Sequence, residues 1–138
     1  MTPDDLVRAA NSPVPEQLAA LTPASSALMQ HAVAAACWLH GANPRHEPGT
    51  SWATAVGALR LRASTVALDR RVRDVVEVDD WDRLLHGLHA LLGRVCAPHR
   101  AGLDYVELAE DLSAWQSSAA EVRQKWGRDF ARAASGPR

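Results

Sequence analysis

Apolar residues recur along this chain at three- and four-residue spacing, which is the period of an α-helix that buries one face. The clearest example starts after Asp79 or Asp80, and its apolar face carries Trp81, Leu84, Leu88 and Leu91. No stretch of any length alternates apolar and polar residues in the way a half-buried strand does. The pattern therefore predicts an all-α protein.

Capping residues and breaks divide this pattern into separate helices. A short helix is predicted over 4–10, and proline-containing breaks follow it. Asp104 and Glu107 have the spacing of a capping box, and Ser118 and Glu121 repeat it, so two helices are predicted in the last third. The other predicted starts are Ser25 or Ser26 (running to His40), Thr50 or Ser51, and Ser64 or Thr65 (running to Val76). We expect a compact bundle of about six to seven helices.

The aromatic residues of the later helices fall on their apolar faces. Trp115 closes the stripe that begins at Tyr105, and Trp126 and Phe130 continue the stripe that begins at Val122. We interpret Trp81, Trp115, Trp126 and Phe130 as core residues.

Composition is compatible with one compact domain or two very small ones, since the chain has 138 residues of which 47% are hydrophobic. No apolar run approaches the roughly 20 residues that a membrane-spanning helix needs. The start of the chain lacks the basic region of a signal peptide. We therefore expect a cytoplasmic protein.

Positive charge is unevenly distributed, although the net charge is only −1. No Lys or Arg occurs between Arg8 and Arg45. The local groups that follow are Arg60, Arg62, Arg70, Arg71 and Arg73, and then Arg123, Lys125, Arg128 and Arg132. Two interpretations stay open, because such clusters can form a basic groove for a polyanion, whereas interleaved acids can neutralise them within helices.

Signals for catalysis are weak. The chain has no phosphate-binding glycine loop, no nucleophile elbow and no His-Glu-x-x-His helix. The adjacent carboxylates at 79–80 and 110–111 would point to different sides of a helix, so we interpret them as cap or surface residues. No enzymatic activity and no cofactor are expected.

One repeated spacing could bind a metal ion. Cys37 and His40, like Cys96 and His99, are separated by two residues near the end of an apolar helix. If the two helix ends met, the four side chains could hold zinc tetrahedrally. The favoured alternative is structural, because cysteine is often a small buried apolar residue and histidine interacts well with a helix C-terminus.

The order of the motifs provides the strongest functional indication. A Gly/Ser-led helix at 49–56 precedes the acid-Arg-Arg step Asp69-Arg70-Arg71, and a leucine-rich helix follows at 81–92. Then come Leu103-Asp104-Tyr105, the Trp115 helix, and a final helix with Arg123 and Asp129-Phe130. This series resembles the CasB family, the small subunit of the type I-E CRISPR Cascade complex, over roughly residues 45–132.

The resemblance implies a non-catalytic helical subunit that works with the other Cascade subunits and with a second copy of itself. Members of that family contact the crRNA–target DNA duplex and the displaced strand, and so stabilise the R-loop in antiviral defence. Carried over by motif, Arg70, Arg71, Arg123 and Arg128 are candidate nucleic-acid contacts. Local charge adds Arg60, Arg62, Arg94 and Lys125 to this set.

The N-terminal third departs from the family pattern, since relatives usually carry an arginine-rich helix there. We therefore divide the chain into an N-terminal helical segment that is poor in basic residues (1–44), a bundle that resembles the CasB core (45–132) and a flexible tail (133–138). The alternative hypothesis is a helical protein-interaction module that does not bind nucleic acid.

Overall fold

The structure, a computed structural model, describes residues 26–62 and 66–136. This part of the chain contains five α-helices and no strand, which confirms the all-α prediction. The helices are α1 (Ala27–Ala42), α2 (Trp52–Arg62), α3 (Val66–Glu77), α4 (Trp81–Leu91) and α5 (Tyr105–Ala134). The additional helix predicted over 4–10 lies outside the described residues.

Short-range caps start the helices where the sequence predicts them. The Ser26 hydroxyl accepts a hydrogen bond from the Met29 amide (3.3 Å), and the Asp80 carboxylate accepts one from the Arg83 amide (3.0 Å). Asp104 accepts from two amides at the start of α5. Each cap satisfies an N–H group that has no partner within its own helix. The predicted cap at Ser64 or Thr65 falls outside the described residues.

Two of the helices contain local irregularities. The last turn of α4 continues as a π-helical segment, Leu92–Cys96, in which the Ala97 amide donates to the Leu92 carbonyl (2.9 Å). Ser118 in α5 has non-helical dihedral angles (φ −142°, ψ 52°), so α5 consists of two helical segments joined by a kink. The predicted boundary at Ser118 is therefore confirmed, although the two segments follow each other without a loop.

Helix α5 forms the centre of the described fold, and α1 and α2 pack along it. Trp52 of α2 meets Trp126 of α5 edge to face, with ring centroids 5.3 Å apart. Trp115 and Trp126 are buried, while Trp81 and Phe130 are partly buried against the same core. The four aromatic residues predicted as core therefore belong to it.

Two glycines allow helices to approach closely. A Cβ atom added at Gly57 in α2 would lie 2.7 Å from the Phe130 carbonyl oxygen of α5. A Cβ at Gly87 in α4 would lie 2.8 Å from a methyl group of Val75 in α3. The second contact brings α3 and α4 together as a hairpin, joined by residues 78–80. The described residues contain no helix that is long and apolar enough to cross a membrane.

Candidate nucleic-acid interface

Three of the eight candidate cations have partners within the fold. Arg60 of α2 forms a two-pronged ion pair with Asp69 of α3, with nitrogen–oxygen distances of 3.1 and 3.3 Å. This ion pair connects α2 to α3, and Asp69 partly neutralises the charge of Arg60.

Lys125 is the second cation with partners inside the fold. Its ammonium group lies 2.7 Å from a carboxylate oxygen of Glu107 and 2.8 Å from both oxygens of Asp111. Burial alone would lower the pKa of Lys125, but the hydrogen bonds to Asp111 and Glu107 outweigh it and raise the pKa. Two carboxylates thus neutralise Lys125, which leaves it little charge for a phosphate.

Asp111 corrects one expectation from the sequence, because it is a buried residue and not a surface one. It accepts hydrogen bonds from Lys125 and from the indole N–H of the fully buried Trp126 (3.0 Å). Its neighbour Glu110 is exposed, so the two carboxylates do point to different sides of α5 as predicted.

Arg123 is the third cation held by the fold. Its Nη2 donates to the Val78 carbonyl oxygen (2.8 Å), and its buried Nε has no hydrogen-bond partner among the described residues. Val78 belongs to the connection between α3 and α4, so Arg123 links the second half of α5 to this connection.

The other five candidates are exposed, and none of them forms an ion pair with a described carboxylate. They are Arg62, Arg70, Arg71, Arg94 and Arg128. Arg71 of α3 and Arg94 of the π-helical segment line one groove between α3 and α4, with a volume of about 550 Å³. The structure does not bring Arg62, Arg70 or Arg128 into this groove.

Arg83 lines the same groove and was missed in the sequence analysis. The sequence pattern could have identified Arg83, because Arg83, Gly87, Ala90 and Arg94 follow one another at intervals of four, three and four residues and therefore share one helix face. Small residues between two arginines on such a face indicate a concave surface with a cation at each end. We call this surface the arginine groove; it is lined by Arg71, Asp74, Val75, Glu77, Val78, Asp79, Arg83, Gly87, Ala90, Leu91 and Arg94.

The two ends of the arginine groove differ in charge. Helices α3 and α4 are joined by only three residues and therefore run antiparallel, with Val75 opposite Gly87. Arg71, one turn before Val75, thus lies at the same end as Arg94. Glu77 and Asp79 lie towards the other end with Arg83. The end that best suits an anion is the one with Arg71 and Arg94.

The proposed zinc residues do not form a metal site in the described part of the chain. Cys37 is exposed, whereas Cys96 is buried. Burial raises the pKa of the Cys96 thiol to about 12, which favours the protonated form that does not bind metal. Residues 26–62 and 66–136 contain no group of three or more His, Cys, Asp or Glu side chains that could hold a metal ion.

The fold and the candidate site define a class of protein, namely a small helical protein whose exposed arginines lie beside internally paired cations. Comparison with known proteins identifies the family. The sequence model of the CRISPR-associated protein Cse2 family matches residues 2–130 of the chain. The chain belongs to this family, which is also called CasB. It is thus a small subunit of a CRISPR Cascade complex and associates with other Cascade components.

A solved structure supports the fold. The chain is similar to CasB from Thermobifida fusca, whose crystal structure matches with a TM-score of 0.69 at 20% sequence identity. The match covers 90% of this chain and 88% of that chain. A search of curated proteins found no match.

Proposed function

We propose that this protein is a non-catalytic small subunit of a type I-E CRISPR Cascade complex that stabilises the R-loop. In this role its exposed arginines contact the phosphate backbones of the guide RNA–target DNA duplex and of the displaced DNA strand. The contacts are independent of base sequence, because guanidinium groups that meet only phosphates read charge and spacing.

The energetics of R-loop formation make such contacts effective. The RNA–DNA duplex that forms is about as stable as the DNA duplex that it replaces, so small additional contacts decide the balance. Each cation that binds a phosphate also releases condensed counterions. A subunit that offers a few unpaired arginines can therefore shift the equilibrium without any chemical step.

The observation that carries the proposal is the separation of the cations into two groups. Arg60, Arg123 and Lys125 are already engaged within the protein. Arg71 and Arg94, in contrast, converge at one end of the arginine groove without an ion pair to any described carboxylate. Arg70 is exposed directly beside Arg71 in the chain. These three arginines are therefore the strongest candidates.

The test replaces Arg70, Arg71 and Arg94 together by Ala in the assembled Cascade complex. Target binding is measured by filter binding over a series of salt concentrations. We expect weaker binding, and a log–log salt dependence whose slope falls by up to about 3, since each lost phosphate contact removes about 0.9. A slope equal to that of the unmodified complex would contradict the assignment.

Two controls distinguish charge from structure. Replacing the same three residues by Lys keeps the charges, so we expect the slope to be retained. Lys125→Met removes a cation that is paired internally; we expect it to lower the stability of the subunit but to leave the slope unchanged.

A further inference from the structure

A second groove lies on the opposite side of α4, against α1. Its lining residues are His31, Ala34, Ala35 and Trp38 of α1 with Trp81 and Leu85 of α4, and its volume is about 420 Å³. We call it the aromatic groove, because three of its six lining residues carry aromatic rings and none is a carboxylate. Along α4, Trp81 and Leu85 are about half a turn away from Arg83 and Gly87. The two grooves therefore flank the same helix.

Trp38 is the unusual residue of the aromatic groove. It is 44% exposed, although the other large aromatic side chains in the described part of the chain are buried or partly buried. It is nevertheless held in position, because the ring of His89 stacks on it with centroids 4.3 Å apart and planes inclined by 24°. The ring of His86 meets it at 5.8 Å in an edge arrangement. Trp38 is thus an exposed ring in a fixed orientation.

A fixed, exposed ring beside unpaired cations matches the chemistry of single-stranded nucleic acid. Proteins bind single strands by combining cations that follow the phosphates with aromatic side chains on which bases stack. Arg94, at the end of the arginine groove that best suits an anion, supplies a cation on one side of the helix, and Trp38 supplies the ring on the other. Since a helix with its side chains is about 10 Å wide, one strand that crosses α4 can reach both.

We propose that the aromatic groove binds an unpaired nucleobase of the displaced DNA strand, with Trp38 as the stacking surface. This inference rests on the proposed function and adds a base-binding position to the phosphate contacts. A duplex does not fit this position, because its base faces are stacked within the helix. The charge of Arg94, which forms no ion pair with a described carboxylate, complements the strand that carries the base.

The test uses the assembled Cascade complex and a target DNA whose displaced strand carries 2-aminopurine at one position at a time. The fluorescence of this base is quenched when it stacks on an aromatic ring. We expect that 2-aminopurine at one position of the displaced strand is quenched with the unmodified subunit and with Trp38→Phe. With Trp38→Ala, its fluorescence at this position should increase. If stacking contributes about 1–3 kcal/mol, the ratio of unstacked to stacked base should be roughly 5- to 150-fold higher in the Ala variant.

Three outcomes would overturn this inference. The first is that no position depends on Trp38. The second is that Leu61→Ala, which removes another exposed apolar side chain (48% exposed), brightens the same position equally. The third is that Trp38→Ala prevents the subunit from joining the complex, which would identify the groove as a protein-docking surface. The salt dependence of target binding by the Arg70, Arg71 and Arg94 variant is measured separately. An unchanged slope would contradict the proposed function, whereas unchanged 2-aminopurine fluorescence in Trp38→Ala would contradict only the base-binding position.

Discussion

The buried hydrogen bonds around Asp111 lead to a specific stability prediction. Asp111 is the acceptor that satisfies the indole N–H of Trp126, and it also pairs with Lys125. The change Asp111→Ala removes both interactions at once. Trp126 is fully buried, so its indole N–H relies on Asp111 for an acceptor.

The expected cost follows from the two lost interactions. A buried donor without an acceptor costs about 1–3 kcal/mol. The contact to Lys125, whose side chain is 32% exposed, adds about 0.5–1 kcal/mol after screening by solvent. We therefore expect a loss of about 1.5–4 kcal/mol in the free energy of unfolding. For a chain of this length that corresponds to a decrease of about 6–16 °C in Tm.

The assay is urea and thermal unfolding of the isolated subunit, followed by circular dichroism at 222 nm. Glu110→Ala is the matched control, because it removes the neighbouring, exposed carboxylate; its effect is expected to stay within about 0.5 kcal/mol. A double-mutant cycle with Trp126→Phe should give a coupling energy of at least about 1 kcal/mol. If Asp111→Ala were as stable as Glu110→Ala, the reasoning about this buried network would be refuted.

Two further predictions concern packing and pH. Gly57→Ala should destabilise the protein by about 1–3 kcal/mol, since its Cβ would collide with the backbone of α5. Gly127→Ala is the control: a Cβ there would have no atom within 4 Å, so this variant should be up to about 1 kcal/mol more stable. Equal urea midpoints for the two variants would contradict the close approach of α2 and α5 at Gly57. Cys96 keeps its proton in the folded state up to about pH 12, while the unfolded chain loses it near pH 9. The unfolded state thus binds fewer protons in this window, and stability should fall by about 1.4 kcal/mol per pH unit from this group. The free energy of unfolding of the unmodified protein should therefore exceed that of Cys96→Ala by less at pH 11 than at pH 8. A difference in unfolding free energy that is the same at both pH values would argue against a buried neutral thiol.

Local features of the fold were predictable because the interactions that define them span few residues. Ser26, Asp80 and Asp104 each cap amides two or three residues further along the chain. The helix boundary at Ser118 was predicted from residues 118–121, which are also close neighbours in the chain. The π-helical turn at Leu92–Cys96 was not, because the sequence around it continues an ordinary apolar helix.

The candidate site was only partly predictable. Sequence analysis identified Arg71 and Arg94 as candidate nucleic-acid contacts, but it could not place them in one groove, since that depends on the contact between Gly87 and Val75. It added Lys125 to the candidate contacts from local charge, because a helix face shows which residues are neighbours along the helix. It does not show which carboxylates a different segment brings near. It also left Trp38 aside, although this is the exposed indole of the aromatic groove.

The sequence by itself determined the helical class, the helix starts in the described residues and the family resemblance, because periodicity, caps and motif order are read along the chain. Only the tertiary structure decided which cations remain available to a phosphate. Asp69 reaches Arg60 across nine residues, Asp111 reaches Lys125 across fourteen, and Val78 reaches Arg123 across forty-five. Such pairings depend on how whole helices pack, and a charge that is paired by packing looks the same in the sequence as one that is free.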